Sequence, residues 1–170
     1  MFYNGWVGGH YITNLFVYAI EGRIIEACLN VPGSVHDSTI AHMFGLYRKL
    51  EEKHLETGGK CVVDSAFAAA NRPCLIRSSQ DLTKAHDAAE RVRLQEATSL
   101  RQTAEWGMRA IQGAFPRLKD AIKYEEKGER FRILKLVPLL YNFRLEVVGL
   151  DQIMNTYAEL WGKDANYIKE

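Results

Sequence analysis

The stretch QEATSLRQTAEWGMRAIQGAFPRLK, residues 95–119, sets the architecture of this chain because it has the pattern of one long helix. Apolar residues recur along it at i, i+4, i+7 and i+11, which places them on one helical face. They are Ala104, Met108, Ile111 and Phe115. Pro116 lacks a backbone N–H donor, so we expect the helix to break near that residue.

A second face of this helix carries one acid between two bases. Arg101, Glu105 and Arg109 follow one another at a spacing of one helical turn, and Gln112 continues the row. In one interpretation they form two ion pairs on a solvated surface, each worth about 0.2–0.5 kcal/mol. In the other interpretation, Glu105 is a metal ligand and the arginines hold phosphate. The helix alone does not decide between the two.

The composition is typical of one globular domain. The chain has 170 residues, of which 47% are hydrophobic and 25% are charged, and this is enough to bury a core. Its net charge is +1, but residues 91–135 carry 11 Lys and Arg against 6 Asp and Glu. A basic segment of this kind is a weak indication of nucleic-acid binding, because a solvated helix surface is its usual cause.

The cysteines and the apolar runs predict an intracellular protein without a membrane segment. Cys28, Cys61 and Cys74 are odd in number and form no CxxC pair, so we expect reduced thiols. No apolar run approaches the roughly 18 residues that indicate a transmembrane helix. The first residues, MFYNGWVGGH, have neither the basic nor the apolar region of a secretory signal.

The first part of the chain predicts a hairpin followed by a helix. Residues 11–20 and 23–30 have the pattern of two largely buried strands, joined by a Glu-Gly turn at residues 21–22. The sequence Val-Pro-Gly-Ser at residues 31–34 should end the second strand. A helix is then expected, and the Gly-Gly pair at residues 58–59 should end it.

The rest of the chain predicts short strands and long helices. Residues 60–64 (KCVVD) and 74–78 (CLIRS) have the pattern of short buried strands, and residues 131–135 that of a short extended piece. Residues 136–157 predict a closing helix or helix pair that is split near Gly149. This order of elements indicates an α/β layer fold, with residues 1–170 in a single domain.

Asp64 stands at the carboxyl end of the predicted strand 60–64. In open α/β sheets, ligands bind at the carboxyl ends of the strands. Divalent metals such as Mg²⁺ take oxygen ligands, commonly one or two carboxylates together with substrate phosphates. A two-metal site can clamp the attacking and leaving oxygens of a phosphoryl transfer. Asp64 and Glu105 are therefore candidate metal ligands, although many α/β proteins have two acids so placed.

The pair His36-Asp37 has two interpretations. In the functional one, Asp37 is a metal ligand and His36 contacts phosphate. In the structural one, the Asp37 side chain caps the helix that follows, and such a cap is worth about 0.5–2 kcal/mol. The cap is the favoured interpretation, because Asp64 has the better position at a strand end.

Several short motifs appear along the chain in a fixed order. They are YNGW (3–6), NVPGSVHDS (30–38), VVDSAF (62–67), RQTAEWGMR (101–109), LLYNFR (139–144) and VGLDQI (148–153). Together they resemble the DDE superfamily endonuclease domain of PIF/Harbinger-type transposases, from residue 3 to about residue 157. Each motif alone is modest support, and the ordered set is what carries the resemblance.

The resemblance implies an RNase H-like fold, a mixed sheet flanked by helices, with a triad of acids that binds divalent metal, Mg²⁺ or Mn²⁺. Asp64 matches the second acid of that triad and Glu105 the third. The implied substrate is DNA, which such families cut and then join to a target. Arg101 and Arg109 would contact phosphate or DNA. A nuclear location and a Myb-like DNA-binding partner protein are also implied, and the oligomeric state is left open.

The chain departs from the family pattern ahead of YNGW, where the first acid and the first, central strand of the sheet are expected. No acid precedes Glu21, which lies in the predicted hairpin turn. We therefore expect impaired catalysis, and the alternative is a non-catalytic relic or a domesticated module that binds protein or DNA. We also expect strand 11–20 not to ladder with strand 60–64, residues 1–6 to fill the gap at most partly, and the chain to be marginally stable or aggregation-prone.

Overall fold

The chain folds into helices and small sheets, as a computed structural model describes for residues 3–4, 8–67, 69, 71–77, 87–119 and 126–149. The elements, in chain order, are β1 (Tyr3–Asn4), β2 (Gly9–His10), β3 (Ile12–Tyr18), β4 (Ile24–Pro32), α1 (Asp37–Met43), α2 (Leu46–Thr57), β5 (Cys61–Val63), β6 (Leu75–Arg77), α3 (Ala88–Ala114), a 3-10 helix (Pro116–Lys119) and α4 (Lys127–Val148). This confirms the predicted mixed α/β class and is consistent with an RNase H-like nuclease domain.

Two compact units make up the chain. The first comprises Met1–Leu15 and Asn30–Thr103, and the second comprises Phe16–Leu29 and Ala104–Glu170. The division therefore passes through the hairpin and through α3. The single domain expected from the sequence stays a prediction. No helix among the described residues is long and apolar enough to cross a membrane.

Among the described residues, the strands form three separate two-stranded sheets rather than one. β1 pairs with β2 in antiparallel orientation, β3 pairs with β4, and β5 pairs with β6 in parallel. Within the described ranges, no ladder joins the hairpin β3–β4 to β5, which is the discontinuity expected from the sequence. Tyr3 and Asn4 pair with His10 and Gly9, so these two residues extend neither larger strand.

The hairpin turn follows the sequence prediction, and the second strand runs further than predicted. The backbone N–H of Gly22, at φ +82°, donates to the Ala19 carbonyl over 2.9 Å, so glycine supplies the positive φ of the turn. β4 continues through Pro32, beyond the predicted end at residue 30. The Gly33 N–H then donates to the Tyr11 carbonyl over 2.8 Å. A Cβ at Gly33 would lie 2.7 Å from that oxygen, so the close approach of the two backbones requires glycine.

The predicted single helix that ends at residue 58 is two helices. Gly45, at φ +65°, separates α1 from α2 because a left-handed residue cannot continue a right-handed helix. Gly58, at φ +70°, ends α2 as predicted, and its N–H donates to the His54 carbonyl over 2.8 Å. The inner faces bury Ile40, Ala41, Leu46 and Tyr47.

A side-chain contact ties α2 to the loop that precedes β6. The Arg72 guanidinium lies 4.1 Å from the centre of the Tyr47 ring and forms an ion pair with Glu51. Stacking on an aromatic face suits the planar guanidinium, which can donate to a carboxylate at the same time. This contact fixes the start of β6 against α2, and β6 in turn lies beside the strand that carries Asp64.

Both long helices begin earlier in the chain than predicted. α3 stops at Ala114, ahead of Pro116 as predicted, but it begins at Ala88 rather than at residue 95. The predicted extended piece at residues 131–135 is wrong, because these residues belong to α4. The buried side chains of α4 have helical spacing, and they are Arg130, Leu134, Val137 and Tyr141. Gly149, at φ +64°, ends this helix, and residues 150–157 of the predicted closing helix lie outside the described residues.

The core of the second unit joins the hairpin to both long helices. Ile24, Ile111, Val137 and Tyr141 form its buried cluster. The Asn142 side chain accepts a hydrogen bond from the Ile24 N–H over 2.9 Å and donates one to the Ile24 carbonyl over 2.8 Å. One amide side chain on α4 thus satisfies both backbone groups of a residue in β4.

Candidate carboxylate site

Asp64 lies where the sequence placed it, directly after a strand. β5 ends at Val63, which is buried, and Asp64 is the next residue. β5 runs parallel to β6, with Val63 opposite Arg77. The carboxyl ends of both strands therefore meet at one edge of this small sheet, and this is the edge at which α/β sheets bind ligands.

A tight turn follows Asp64 and involves its own side chain. The Asp64 Oδ1 accepts a hydrogen bond from the Ala66 N–H over 2.7 Å. This is the local pattern by which aspartate shapes a turn two residues ahead. The orientation of the Asp64 carboxylate is thereby coupled to the conformation of the turn at residues 64–67.

Asp37 lies within electrostatic reach of Asp64. Burial raises the pKa of the Asp37 carboxyl above its usual value, the negative charge of Asp64 raises it further, and His36 opposes the shift. The charge of Asp64 thus adds to the burial of Asp37 in favouring the protonated form of the Asp37 carboxyl.

This arrangement overturns the favoured interpretation of Asp37 as a helix cap. His36 holds the N-cap position with an extended backbone, at φ −68° and ψ 147°, and Asp37 is the first helical residue. Among the described residues, no side chain makes a cap hydrogen bond at this end of α1. A carboxylate at the first helical position lies past the point from which a cap bonds the free N–H groups. The interpretation of Asp37 as a metal ligand stays a prediction.

The other predicted site residues lie on α3. Glu105 and Arg109 are exposed and Arg101 is half-buried, and the helical spacing places all three on one face. Asp64 belongs to the first compact unit and Glu105 to the second. The convergence of these two carboxylates on a common metal therefore stays a prediction, as do the contacts of both arginines with phosphate.

The residues around Asp64 suit a hard cation. Across the described ranges, no group of three or more His, Cys, Asp or Glu is arranged to hold a metal ion. Asp37 and Asp64 nevertheless offer two carboxylates whose mutual repulsion a divalent cation would relieve. In a typical Mg²⁺ site the protein supplies one or two carboxylate ligands, and substrate phosphates and water supply the others. The donor set therefore fits Mg²⁺ or Mn²⁺ in part, with the remaining positions left to other oxygens.

The thiols near the site have raised pKa values. Cys61 lies on β5, and burial together with the neighbouring Cys74 raises the pKa of its thiol to about 11. Burial also raises the pKa of the Cys74 thiol, and both cysteines are free. Both thiols are therefore mostly protonated near neutral pH, which makes them weak nucleophiles.

Sequence reasoning overlooked Arg77, the residue of β6 that faces the Asp64 turn. Its Nη2 donates to the Ser65 carbonyl and to the Phe67 carbonyl, each over 3.0 Å. The signal was present in the motif CLIRS, where an exposed arginine follows the buried Leu75 by two residues. A charged residue at the end of a strand next to the one that carries Asp64 should have been a candidate.

The chain is similar to one described family. A model of the DDE superfamily endonuclease family matches residues 1–142, a range that includes Asp37, Asp64, Arg101, Glu105 and Arg109. No curated protein and no solved structure matches the chain. The match supports the transposase resemblance of the motifs at the level of the superfamily, and the PIF/Harbinger subtype stays a prediction.

Proposed function

We propose a function on the premise that this chain belongs to the DDE superfamily endonuclease family, whose model covers residues 1–142 of its 170 residues. The function is metal-dependent phosphoryl transfer on DNA, in which a strand is cut and its freed end is joined to a target. Family membership is the observation that carries this proposal. The position of Asp64 at a strand end, beside Asp37, supports it from the structure.

The proposed ligands of a divalent cation, Mg²⁺ or Mn²⁺, are Asp64, Asp37 and Glu105. A cation bound there would supply charge stabilisation to the phosphate oxygens at which negative charge develops. The Asp64 carboxylate would orient the scissile phosphate by holding the cation at the sheet edge. Glu105 would join it from α3, as its motif match implies.

Arg101 and Arg109 are the proposed DNA contacts. A guanidinium presents several N–H donors in a planar fork, so it can bind two phosphate oxygens at once. Both residues lie one helical turn from Glu105, which would place them along the path of a strand bound at that acid. Such contacts fix the register of the DNA backbone without reading its sequence.

The finer assignments rest on the ordered motifs. Together these motifs support a PIF/Harbinger-type transposase or a protein derived from one. That assignment brings with it a nuclear location and a Myb-like DNA-binding protein as partner.

The second candidate function is non-catalytic binding of DNA or protein by the same fold. It is favoured by the finding that, among the described residues, no group of three or more His, Cys, Asp or Glu could hold a metal ion. Two carboxylate ligands can hold a cation on a phosphate. Clamping both the attacking and the leaving oxygen of a phosphoryl transfer requires more ligands than two. We therefore expect the 170-residue chain by itself to cut DNA weakly or not at all.

The test combines metal binding, DNA binding and DNA cleavage by the purified chain. We expect Mn²⁺ binding that Asp64→Asn abolishes, together with DNA binding whose dependence on salt becomes shallower in Arg101→Ala and Arg109→Ala. Each lost phosphate contact should reduce the slope of log affinity against log salt by about 1. Absence of Mn²⁺ binding would reject the metal site. Robust Mg²⁺-dependent nicking that Glu105→Gln abolishes would instead establish catalysis and reject the non-catalytic candidate.

A further inference from the structure

The turn after β5 is held from outside by one arginine. The carbonyl groups of Ser65 and Phe67 both point at Arg77, and a single guanidinium nitrogen donates to each of them over 3.0 Å. Between these carbonyls lies Ala66, whose N–H donates to the Asp64 carboxylate over 2.7 Å. The bonds to Arg77 and the bond to Asp64 therefore fix the same few peptide units.

The backbone places Arg77 where it can do this. Arg77 pairs with Val63 in the parallel ladder of β5 and β6, and Val63 immediately precedes Asp64. Its Cα is thus fixed by a strand rather than by a loop, and the contact of Arg72 with Tyr47 fixes the start of that strand. A functional group is held most precisely when its supporting residues lie on such regular elements.

We propose that Arg77 is a positioning residue, which sets the orientation of the Asp64 carboxylate toward a divalent cation. The inference rests on the proposed metal-binding function of Asp64. Charge-assisted hydrogen bonds from the guanidinium fix the carbonyls of Ser65 and Phe67. The Ser65 carbonyl and the Ala66 N–H belong to the same peptide unit, so the N–H is fixed as well. This N–H donates to Oδ1 of Asp64 and so orients the carboxylate. Without Arg77 the turn samples other conformations, and the carboxylate meets a cation in the productive orientation for only part of the time.

The first measurement is the dissociation constant of Mn²⁺ for the folded full chain, by titration calorimetry. Removing an outer-shell partner of a metal ligand typically costs 10–100-fold in affinity. We expect Arg77→Met to weaken Mn²⁺ binding about tenfold, at the lower end of that range because the ligand is reached through a turn. Arg77→Lys should recover part of the loss, since its ammonium keeps the charge but not the planar fork.

The matched control is Arg48→Met. Arg48 is also an exposed arginine of the first unit, and its bond to Glu52, over 3.1 Å, is an ion pair one turn along α2. This variant should bind Mn²⁺ like the unchanged chain. Arg77→Gln, which retains neutral N–H donors, replaces Arg77→Met if the latter does not fold.

The second measurement is independent of metal. Hydrogen exchange of the Ala66 amide, followed by NMR, reports on its bond to Asp64, and Arg77→Met should accelerate it while Arg48→Met should not. Unchanged exchange, or faster exchange with unchanged Mn²⁺ affinity, overturns the positioning role of Arg77. If the unchanged chain binds no Mn²⁺, the metal site itself fails, and the exchange measurement still decides whether Arg77 holds the turn.

Discussion

At the scale of single residues, the pairing of Asp37 with Asp64 has a consequence for the dependence of stability on pH. The pKa of the Asp37 carboxyl is raised above its usual value of 3.8 in the folded state. Between that value and the raised one, the folded state binds more protons than the unfolded state. Stability therefore falls as the pH rises through this window, and the loss persists at neutral pH.

We expect Asp37→Asn to raise the free energy of unfolding near pH 7, with little effect well below pH 3.8, because it removes the charge that folding disfavours. Urea denaturation at several pH values measures this difference. In the Asp64→Asn variant, an NMR titration should give a lower Asp37 pKa. If Asp37→Asn destabilised the fold at neutral pH, folding would not disfavour the charged Asp37 carboxylate as inferred.

Tyr18 is a buried polar residue whose hydroxyl has no hydrogen-bond partner among the described residues. Burial, and to a lesser degree Tyr141, raises the pKa of this phenol, so it stays neutral. A buried unsatisfied hydroxyl costs about 1–3 kcal/mol. Tyr18→Phe should therefore leave the thermal midpoint unchanged or raise it, by calorimetry. A clear fall in the midpoint would mean that the hydroxyl has a stabilising partner.

At the scale of elements, α3 contains two glycines that should respond oppositely to the same substitution. A Cβ at Gly107 would lie 2.8 Å from the Tyr18 ring, whereas nothing lies within 4 Å of a Cβ at Gly113. Alanine stabilises a helix interior by up to about 1 kcal/mol relative to glycine. Gly113→Ala should gain part of that, because Gly113 lies one residue from the end of α3, and Gly107→Ala should lose stability because the Tyr18 ring must move. Equal increases in the free energy of unfolding, measured by chemical denaturation, would show that the Tyr18 ring moves aside at no cost.

The bidentate contact of Asn142 with Ile24 should stabilise the hairpin edge strongly. Asn142→Leu leaves the Ile24 N–H and carbonyl without their partner, at about 1–3 kcal/mol for each buried group. Asn142→Asp keeps the acceptor and loses the donor. Its free energy of unfolding in urea should therefore lie between that of the unchanged chain and that of Asn142→Leu. A loss below 1 kcal/mol in Asn142→Leu would mean that water replaces the side chain.

The elements also show how far the sequence alone could predict the fold. The turn at Gly22, the stop at Gly58 and the break before Pro116 were predictable because each depends on one residue's own backbone. The break at Gly45 was not, since an isolated glycine within a helical pattern is often tolerated. Residues 131–135, FRILK, were misassigned because a short apolar run is ambiguous between strand and helix.

At the scale of the whole molecule, the same limit applies to the candidate site. The strand-end position of Asp64 followed from a local pattern, and so did the helical row around Glu105. The charge of Asp64 acts on Asp37, which is distant along the chain, and no local spacing encodes such an interaction. The hydrogen bonds of Arg77 to the turn likewise depend on the pairing of β5 with β6. The order of strands in a sheet cannot be predicted from residue types alone.

The surface of α4 supports the expectation that the chain is prone to aggregation. One face of this helix is buried, while the other exposes apolar side chains at helical spacing, namely Leu136, Leu139, Leu140, Phe143 and Val147. An exposed apolar stripe of this kind promotes aggregation. The described strands add little to the stability of the fold, since an isolated two-stranded sheet is marginally stable in water.

We therefore expect the double variant Leu139→Lys/Phe143→Lys to remain monomeric at higher concentration than the unchanged chain, as measured by size-exclusion chromatography with light scattering. Leu139 is 65% exposed and Phe143 is 63% exposed, so lysine at either position should leave the unfolding midpoint nearly unchanged. The matched control is Leu134→Lys on the same helix, where the side chain is 5% exposed. A buried unpaired charge there should unfold the chain or lower its midpoint sharply. If the double variant lost as much stability as Leu134→Lys, the outer face of α4 would be covered in the folded protein, and its exposure could not be the cause of aggregation.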